Sequence, residues 1–126
     1  MENTYLVCFD FNKMREKFNP NDEFNYEIAV EFMEECFVLK DKIAELFPNF
    51  VIQISNDVYL IKTLMDSDSV LEFLVKELSN KVFGIKDGDN FKRQIYVAEI
   101  KDFKTYSPKA KKLEIEYLTN AICKHN

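Results

Sequence analysis

Two short runs rich in β-branched and aromatic residues, 50–55 and 58–63, stand on either side of the dipeptide Asn56-Asp57. Runs of this composition around a two-residue turn predict an antiparallel β-hairpin. Segments with helical periodicity flank the hairpin, and a further strand-like run lies outside each of them. A hairpin placed between two helices leaves few arrangements for the outer strands, so this feature constrains the fold more than any other.

The outer strands are predicted at residues 4–11 and 91–100. The first is apolar on both faces, as a central strand is. Residues 26–47 and 69–80 are predicted helices, and residues 66–69 supply N-cap candidates for the second. The inward stripe of the first helix comprises Ile28, Phe32, Cys36, Leu39, Ile43 and Leu46. A second stripe, which we expect to widen that buried face, comprises Ala29, Met33 and Phe37.

The element order β-α-β-β-α-β predicts an α+β fold, the ferredoxin-like plait. Two right-handed crossovers around a hairpin give a four-stranded antiparallel sheet with both helices on one face. We expect a single domain over residues 1–126, with a core at 4–100 and an added C-terminal helix at 108–124 that begins with Pro108. Residues 12–25 are predicted to form a long polar loop, and residues 84–90 a turn-rich one.

The chain carries 17 basic and 22 acidic residues, a formal net charge of −5. An acidic total disfavours general nucleic-acid binding unless a local basic face or a bound cation offsets it. Three scattered cysteines and the single His125 exclude a credible zinc site. Cys8 and Cys36 are predicted to be buried thiols. We expect a cytoplasmic protein without a signal peptide or a membrane span.

Two motifs give the chain a family likeness: YLVCFD at residues 5–10 and SNDVYLIKT at residues 55–63. In these motifs, and in element order over residues 4–100, the chain resembles the SinR-like relatives of the small CRISPR-associated adaptation nuclease. The resemblance implies a ferredoxin-like homodimer with either metal-dependent phosphodiester cleavage or a structural nucleic-acid role. In that family the acid that closes the first strand is the proposed metal ligand, and the dimer brings two such acids together. Asp10 holds the matching position.

Asp10 is therefore the candidate catalytic residue and the candidate ligand for Mg²⁺, a cation that takes oxygen ligands and is often held by carboxylates and substrate phosphate. A single acid per chain is sufficient only if two copies pair. The alternative is a structural role, in which Asp10 caps the strand end or accepts hydrogen bonds from the following loop.

The candidate nucleic-acid contacts are Lys13, Arg15, Ser55 and Arg93. The basic members, together with other lysines at 17, 92, 101, 104, 109, 111 and 112, are candidates for a phosphate-binding patch. The alternative is that these charges are simply solvated and blunt a sheet edge. Ser55 has no activating residue beside it in the sequence, and an ordinary turn role is its alternative.

Two functions follow from these observations. The first is a homodimeric, nucleic-acid-binding relative of the small CRISPR-associated nucleases, with Mg²⁺-dependent cleavage as its catalytic version. The second is a non-catalytic protein-interaction module of phage or host defence. This second function would use the acidic side chains of the first helix, which are Glu31, Glu34, Glu35, Asp41 and Glu45. The sequence does not decide whether the protein is an enzyme.

Overall fold

The computed structural model describes residues 2–18 and 25–101. In chain order the elements are β1 (Asn3–Phe9), α1 (Phe11–Phe18), α2 (Tyr26–Leu46), β2 (Val51–Ser55), β3 (Val58–Thr63), α3 (Ser67–Leu78), α4 (Gly88–Lys92) and β4 (Ile95–Glu99). The predicted C-terminal helix at 108–124, the basic residues at 104–112 and Cys123 lie outside the described residues. The predicted α+β class is confirmed.

The four strands form one antiparallel sheet in the order β2-β3-β1-β4. Strand β1 is central, with Cys8 opposite Val58 of β3 and Phe9 opposite Ile95 of β4. The hairpin of β2 and β3 turns at Asn56-Asp57, as the sequence predicted, and it carries a register irregularity between Gln53 and Ser55. Among the described strands, β2 and β4 are therefore the edges of the sheet.

Strand β1 is buried on both faces because its alternate side chains belong to two different clusters. Tyr5, Val7 and Phe9 pack into the larger cluster, together with residues from all four helices. Leu6 and Cys8 belong to a second cluster, which contains residues of the four strands and of no described helix. Helices α2 and α3 therefore pack on the same face of the sheet, as predicted from the two crossovers.

The inward stripe of α2 is confirmed, since Leu39 and Ile43 are buried and Phe32, Cys36 and Leu46 pack against the core. The second predicted stripe is wrong. Met33 and Phe37 are 59% and 61% exposed. One stripe is enough to cover the sheet beneath α2, and the second points away from it, toward the side of edge strand β2.

A second correction concerns residues 11–18, which form helix α1, whereas residue 11 was predicted to end the first strand and residues 12–18 to belong to a loop. The apolar positions Phe11, Met14 and Phe18 recur at helical spacing, and Met14 is completely buried. Phe11 anchors the start of the helix, with its ring centroid 5.6 Å from that of Phe32 and 5.4 Å from that of Phe83. Burial of this one apolar face offsets the polarity of the remaining residues.

The connection before β4 also differs from the prediction. Residues 91 and 92 end helix α4, and β4 begins only at Ile95. Asp87 caps α4 by accepting the N–H groups of Asp89 and Asn90 at 2.9 and 3.3 Å. Arg93 is the C-cap residue of α4 and not a strand residue. Short-range capping overrode the strand propensity of residues 91–94.

Candidate functional site

One end of the sheet collects most of the residues that the sequence singled out. At this end β1 finishes, the β2–β3 hairpin turns and β4 begins. The N–H of Phe9 donates to the carbonyl of Asp57, and the N–H of Asp10 donates to the carbonyl of Gln94, both at 2.8 Å. We call this region, comprising residues 10–15, 55–57 and 93–94, the Asp10 end of the sheet.

Asp10 lies directly after β1 and acts as the N-terminal cap of α1. Its carboxylate Oδ1 accepts the N–H of Lys13 at 3.2 Å, and its carbonyl accepts the N–H of Met14 at 3.0 Å. The ammonium group of Lys13 lies 3.9 Å from Asp10 Oδ2, and the Asp10 side chain is 19% exposed. The structural role that the sequence left open for Asp10, as an acceptor for the following segment, is thus present, with a helix in place of the loop.

Ser55 and Arg93 flank Asp10 across the same end. Ser55 ends β2, and its hydroxyl donates to Asp57 Oδ1 at 2.8 Å within the turn. Arg93 is exposed and lies two residues before β4, next to the residue whose carbonyl holds the Asp10 N–H. Arg15 is exposed on α1, the helix that begins at this end. Four separate parts of the chain therefore contribute the predicted contacts to one region.

The wider basic patch that the sequence suggested is not assembled by the described residues. Lys92 forms an ion pair with Glu72 of α3, and this hydrogen-bonded contact raises the pKa of Lys92. Lys101 follows the far end of β4, away from Arg93, and lies 3.6 Å from Glu99. Among the side chains that the structure describes, the cations of the Asp10 end are Lys13, Arg15 and Arg93.

The described residues of the Asp10 end do not by themselves form a cluster of metal ligands. Among residues 2–18 and 25–101, no group of three or more His, Cys, Asp or Glu side chains is arranged to hold a metal ion. Asp10 already accepts a backbone N–H and lies near the ammonium group of Lys13. A hard divalent cation is usually held by one or two carboxylates plus substrate oxygens. A site here would need a further carboxylate beside Asp10.

Gln94 is a buried polar residue of this region that sequence reasoning did not single out. It is 2% exposed, and its Nε2 donates to the backbone and side-chain oxygens of Asn90 at 3.0 and 3.3 Å. Within the described part of the chain its Oε1 has no hydrogen-bond donor. The sequence signal that could have identified Gln94 is an amide side chain inside a predicted strand, because a buried polar group is ordinarily paired with a hydrogen-bond partner.

A second surface feature lies where α2 passes edge strand β2. A depression of about 170 Å³ there is lined by Met33, Cys36, Phe37, Lys40, Gln53 and Asn56. Burial, together with the negative charges of Asp57 and Glu35, raises the pKa of the Cys36 thiol to about 11, so this cysteine stays protonated at neutral pH. Burial also raises the pKa of Tyr59. These are not the properties of an activated nucleophile.

A larger depression, of about 360 Å³, lies at the other end of the sheet. Its lining includes Phe47 and Leu64 and the polar residues Glu2, Asn49 and Lys62. None of the residues predicted to bind nucleic acid lines either depression. No helix in residues 2–18 and 25–101 has the length and apolar character needed to cross a bilayer.

Comparisons of the chain with protein-family models, with curated proteins and with solved structures found no match. The case for a function therefore depends on the residues and on their geometry.

Proposed function

We propose that this chain is a ferredoxin-like protein that binds nucleic acid through the Asp10 end of its sheet and acts as a homodimer. The strand order β2-β3-β1-β4, with α2 and α3 on one face, is consistent with the plait that the sequence predicts. The added C-terminal helix belongs to this proposal as well. It is the resemblance to the SinR-like proteins that implies nucleic acid as the ligand.

A single observation carries the proposal, namely the two backbone hydrogen bonds that join the Asp10 segment, with Lys13, to the hairpin turn that follows Ser55 and to Gln94, which follows Arg93. Lysine and arginine supply the phosphate contacts on which nucleic-acid affinity largely rests, and a hydroxyl is a further donor to phosphate oxygen. Single-stranded nucleic acid suits this surface best, because three cations at one end of the sheet make a small basic surface and a net charge of −5 disfavours contact with a duplex.

The test is a fluorescence-anisotropy titration of short labelled RNA and DNA strands. In the site variant, glutamine replaces Lys13, Arg15 and Arg93. The control variant removes the same charge toward the other end of the sheet, at Lys42, Lys62 and Lys101. We expect the site variant to lose about tenfold or more in affinity and the control to retain it. Equal losses in the two variants would refute the assigned surface.

Mg²⁺-dependent cleavage is a narrower version of this proposal. It requires Asp10 of a second copy to approach the first, as in the dimer that the resemblance implies. The test compares the parent with Asp10→Asn in a cleavage assay with and without Mg²⁺, since asparagine keeps the helix cap but is a weaker metal ligand. If the parent shows no cleavage, or if Asp10→Asn cleaves equally well, the catalytic version is wrong and the binding proposal stands.

A second candidate function is a protein-interaction module that uses α2. The observation that favours it is the exposure of Met33 and Phe37 on a helix whose exposed acids include Glu31, Glu34 and Asp41. Large exposed apolar side chains rimmed by charge are typical of protein contacts. Pull-down from the native host with the parent and with Phe37→Glu tests this function, and a partner that both retain equally would contradict it.

A further inference from the structure

The two edges of the sheet differ in their protection against pairing. Strand β4 ends in Glu99, which is followed by Lys101, whereas β2 has the sequence VIQIS, without a charge or a proline. Among the described strands β2 pairs only with β3, and Ile52 is 44% exposed. Natural proteins usually blunt a free edge with charges, prolines or bulges. Here the irregularity between Gln53 and Ser55 leaves residues 51–53 open to regular pairing.

The same edge lies beside the exposed apolar side chains of α2. Met33 and Phe37 share the depression between α2 and β2 with Gln53, which places the middle of the helix level with the middle of the strand. A partner that lengthens the sheet at β2 would therefore bring apolar groups against Met33 and Phe37 at the same time. The two features together fit a partner that offers both a strand edge and an apolar helix face.

We propose that this partner is a second copy of the chain, joined by a two-fold axis normal to the sheet between the two β2 strands. Such an axis makes both the paired strands and the adjacent helices antiparallel, and it gives an isologous interface. It places Phe37 against Phe37 of the partner subunit and Ile52 near Ile52 of the partner subunit. The inference rests on the homodimer of the proposed function and assigns it an interface different from the paired-Asp10 dimer that the resemblance implies. It does not require nucleic-acid binding.

Charge along α2 supports self-pairing. When two copies of α2 pack antiparallel with their Phe37 residues at the centre, the residue three positions before Phe37 in one helix lies opposite the residue three positions after Phe37 in the other. Glu34 therefore meets Lys40 of the partner subunit, twice in the dimer, and both residues are exposed. Opposite charges at these positions favour this register and disfavour others.

This arrangement has a consequence for Asp10. Strand β1 is the third strand from the β2 edge, and neighbouring strands lie about 4.8 Å apart, so the two Asp10 residues are roughly 24 Å or more from each other. Two carboxylates that share a metal ion must lie within a few ångströms of it. The β2-edge dimer therefore supports binding without paired-Asp10 cleavage.

Charge reversal combined with sedimentation velocity tests the inference. Glu34→Lys and Lys40→Glu each place like charges together at two points, and we expect each to weaken dimerisation about tenfold or more at low salt. An equimolar mixture of the two variants restores both opposite-charge pairs and is expected to recover the parent affinity as a heterodimer. The matched controls are Glu31→Lys and Lys42→Glu, which make the same charge changes on other faces of α2.

Cross-linking provides a second measurement that does not depend on charge. Phe37→Cys, in a background of Cys36→Ala and Cys123→Ser, is expected to form a disulfide-linked dimer on mild oxidation, whereas Lys42→Cys in that background is not. Circular dichroism establishes that every variant is folded. A parent that is monomeric at all concentrations overturns both this inference and the proposed homodimer. A dimer that neither charge variant weakens overturns the β2-edge interface alone and leaves the homodimer standing.

Discussion

Replacing Asp10 with alanine is expected to destabilise the fold whatever the function of this residue. The carboxylate accepts the Lys13 N–H at 3.2 Å, and loss of an N-cap acceptor costs about 1 kcal/mol. The exposed Lys13 ammonium group at 3.9 Å adds about 0.5 kcal/mol at most. Met14, one turn further on, is completely buried, so loosening of α1 is transmitted to the core.

The combined loss of about 1–1.5 kcal/mol corresponds to a fall in melting temperature of roughly 4–6 °C for a domain of this size. Thermal and urea unfolding followed by circular dichroism measures it. Asp10→Asn is the matched variant, because asparagine caps a helix about as well as aspartate, and we expect its stability to lie within a few tenths of a kcal/mol of the parent. If Asp10→Asn fell as far as Asp10→Ala, the negative charge rather than the cap would be the stabilising feature. If Asp10→Ala kept the parent stability, the assigned cap would be wrong.

Three further predictions concern the core and the α2 surface. Met14→Ala is expected to lower the free energy of unfolding, measured with urea, by about 2–4 kcal/mol, because Met14 is fully buried. A loss as small as that of the exposed control Asn12→Ala would contradict the packing of α1 on the core. Glu35→Ala is expected to lower the free energy of unfolding by about 1–3 kcal/mol, because Glu35 accepts the N–H of buried Phe83 at 3.0 Å and Phe83 has a φ of 55°. Glu31→Ala, at an exposed acid of the same helix, is expected to be near neutral, and equal effects of the two variants would refute this contact. Alkylation of Cys36, in a Cys123→Ser background, is expected to accelerate with a midpoint near pH 11, the raised pKa of its thiol. Because the folded state holds that proton more tightly than the unfolded state, the free energy of unfolding falls between about pH 9 and 11. An alkylation midpoint near the ordinary thiol pKa would contradict the burial of Cys36.

The hairpin, the central strand and the two long helices could be predicted from the sequence because each has a strong local signal. Asn56-Asp57 between two β-rich runs fixes the turn, and Asp66 caps α3 by accepting the Ser69 N–H at 2.8 Å. The stripe of α2 that includes Leu39 and Ile43 is buried as its spacing predicts. These elements depend on near neighbours and on periodicity, which a sequence displays directly.

Helix α1 was missed although its signal was present. Asp10 as a cap, followed by Phe11, Met14 and Phe18 at helical spacing, describes a short amphipathic helix. The polarity of the intervening residues concealed it. The exposure of Met33 and Phe37 could not be predicted in the same way, because it depends on where α2 lies relative to the edge of the sheet.

The candidate site was predictable in part. The antiparallel order places the end of β1, the hairpin turn and the start of β4 together, so the location of Asp10, Ser55 and Arg93 at one end of the sheet follows from the predicted topology. Secondary-structure propensity does not specify the ion pair of Lys92 with Glu72, which is a tertiary contact, or the helix cap made by Asp10, which is a local one. The ion pair engages one of the lysines that the sequence predicted for the basic patch.

The central claim is that the Asp10 end binds nucleic acid despite a net charge of −5. The most direct measurement is the affinity of the parent for a short single strand as a function of salt concentration. Binding through Lys13, Arg15 and Arg93 predicts that log K falls with log salt at a slope of about −2, since each phosphate contact on a single strand contributes about −0.7. The variant that lacks these three cations should lose most of that slope. No binding at low salt, or a slope that the variant leaves unchanged, would contradict the account.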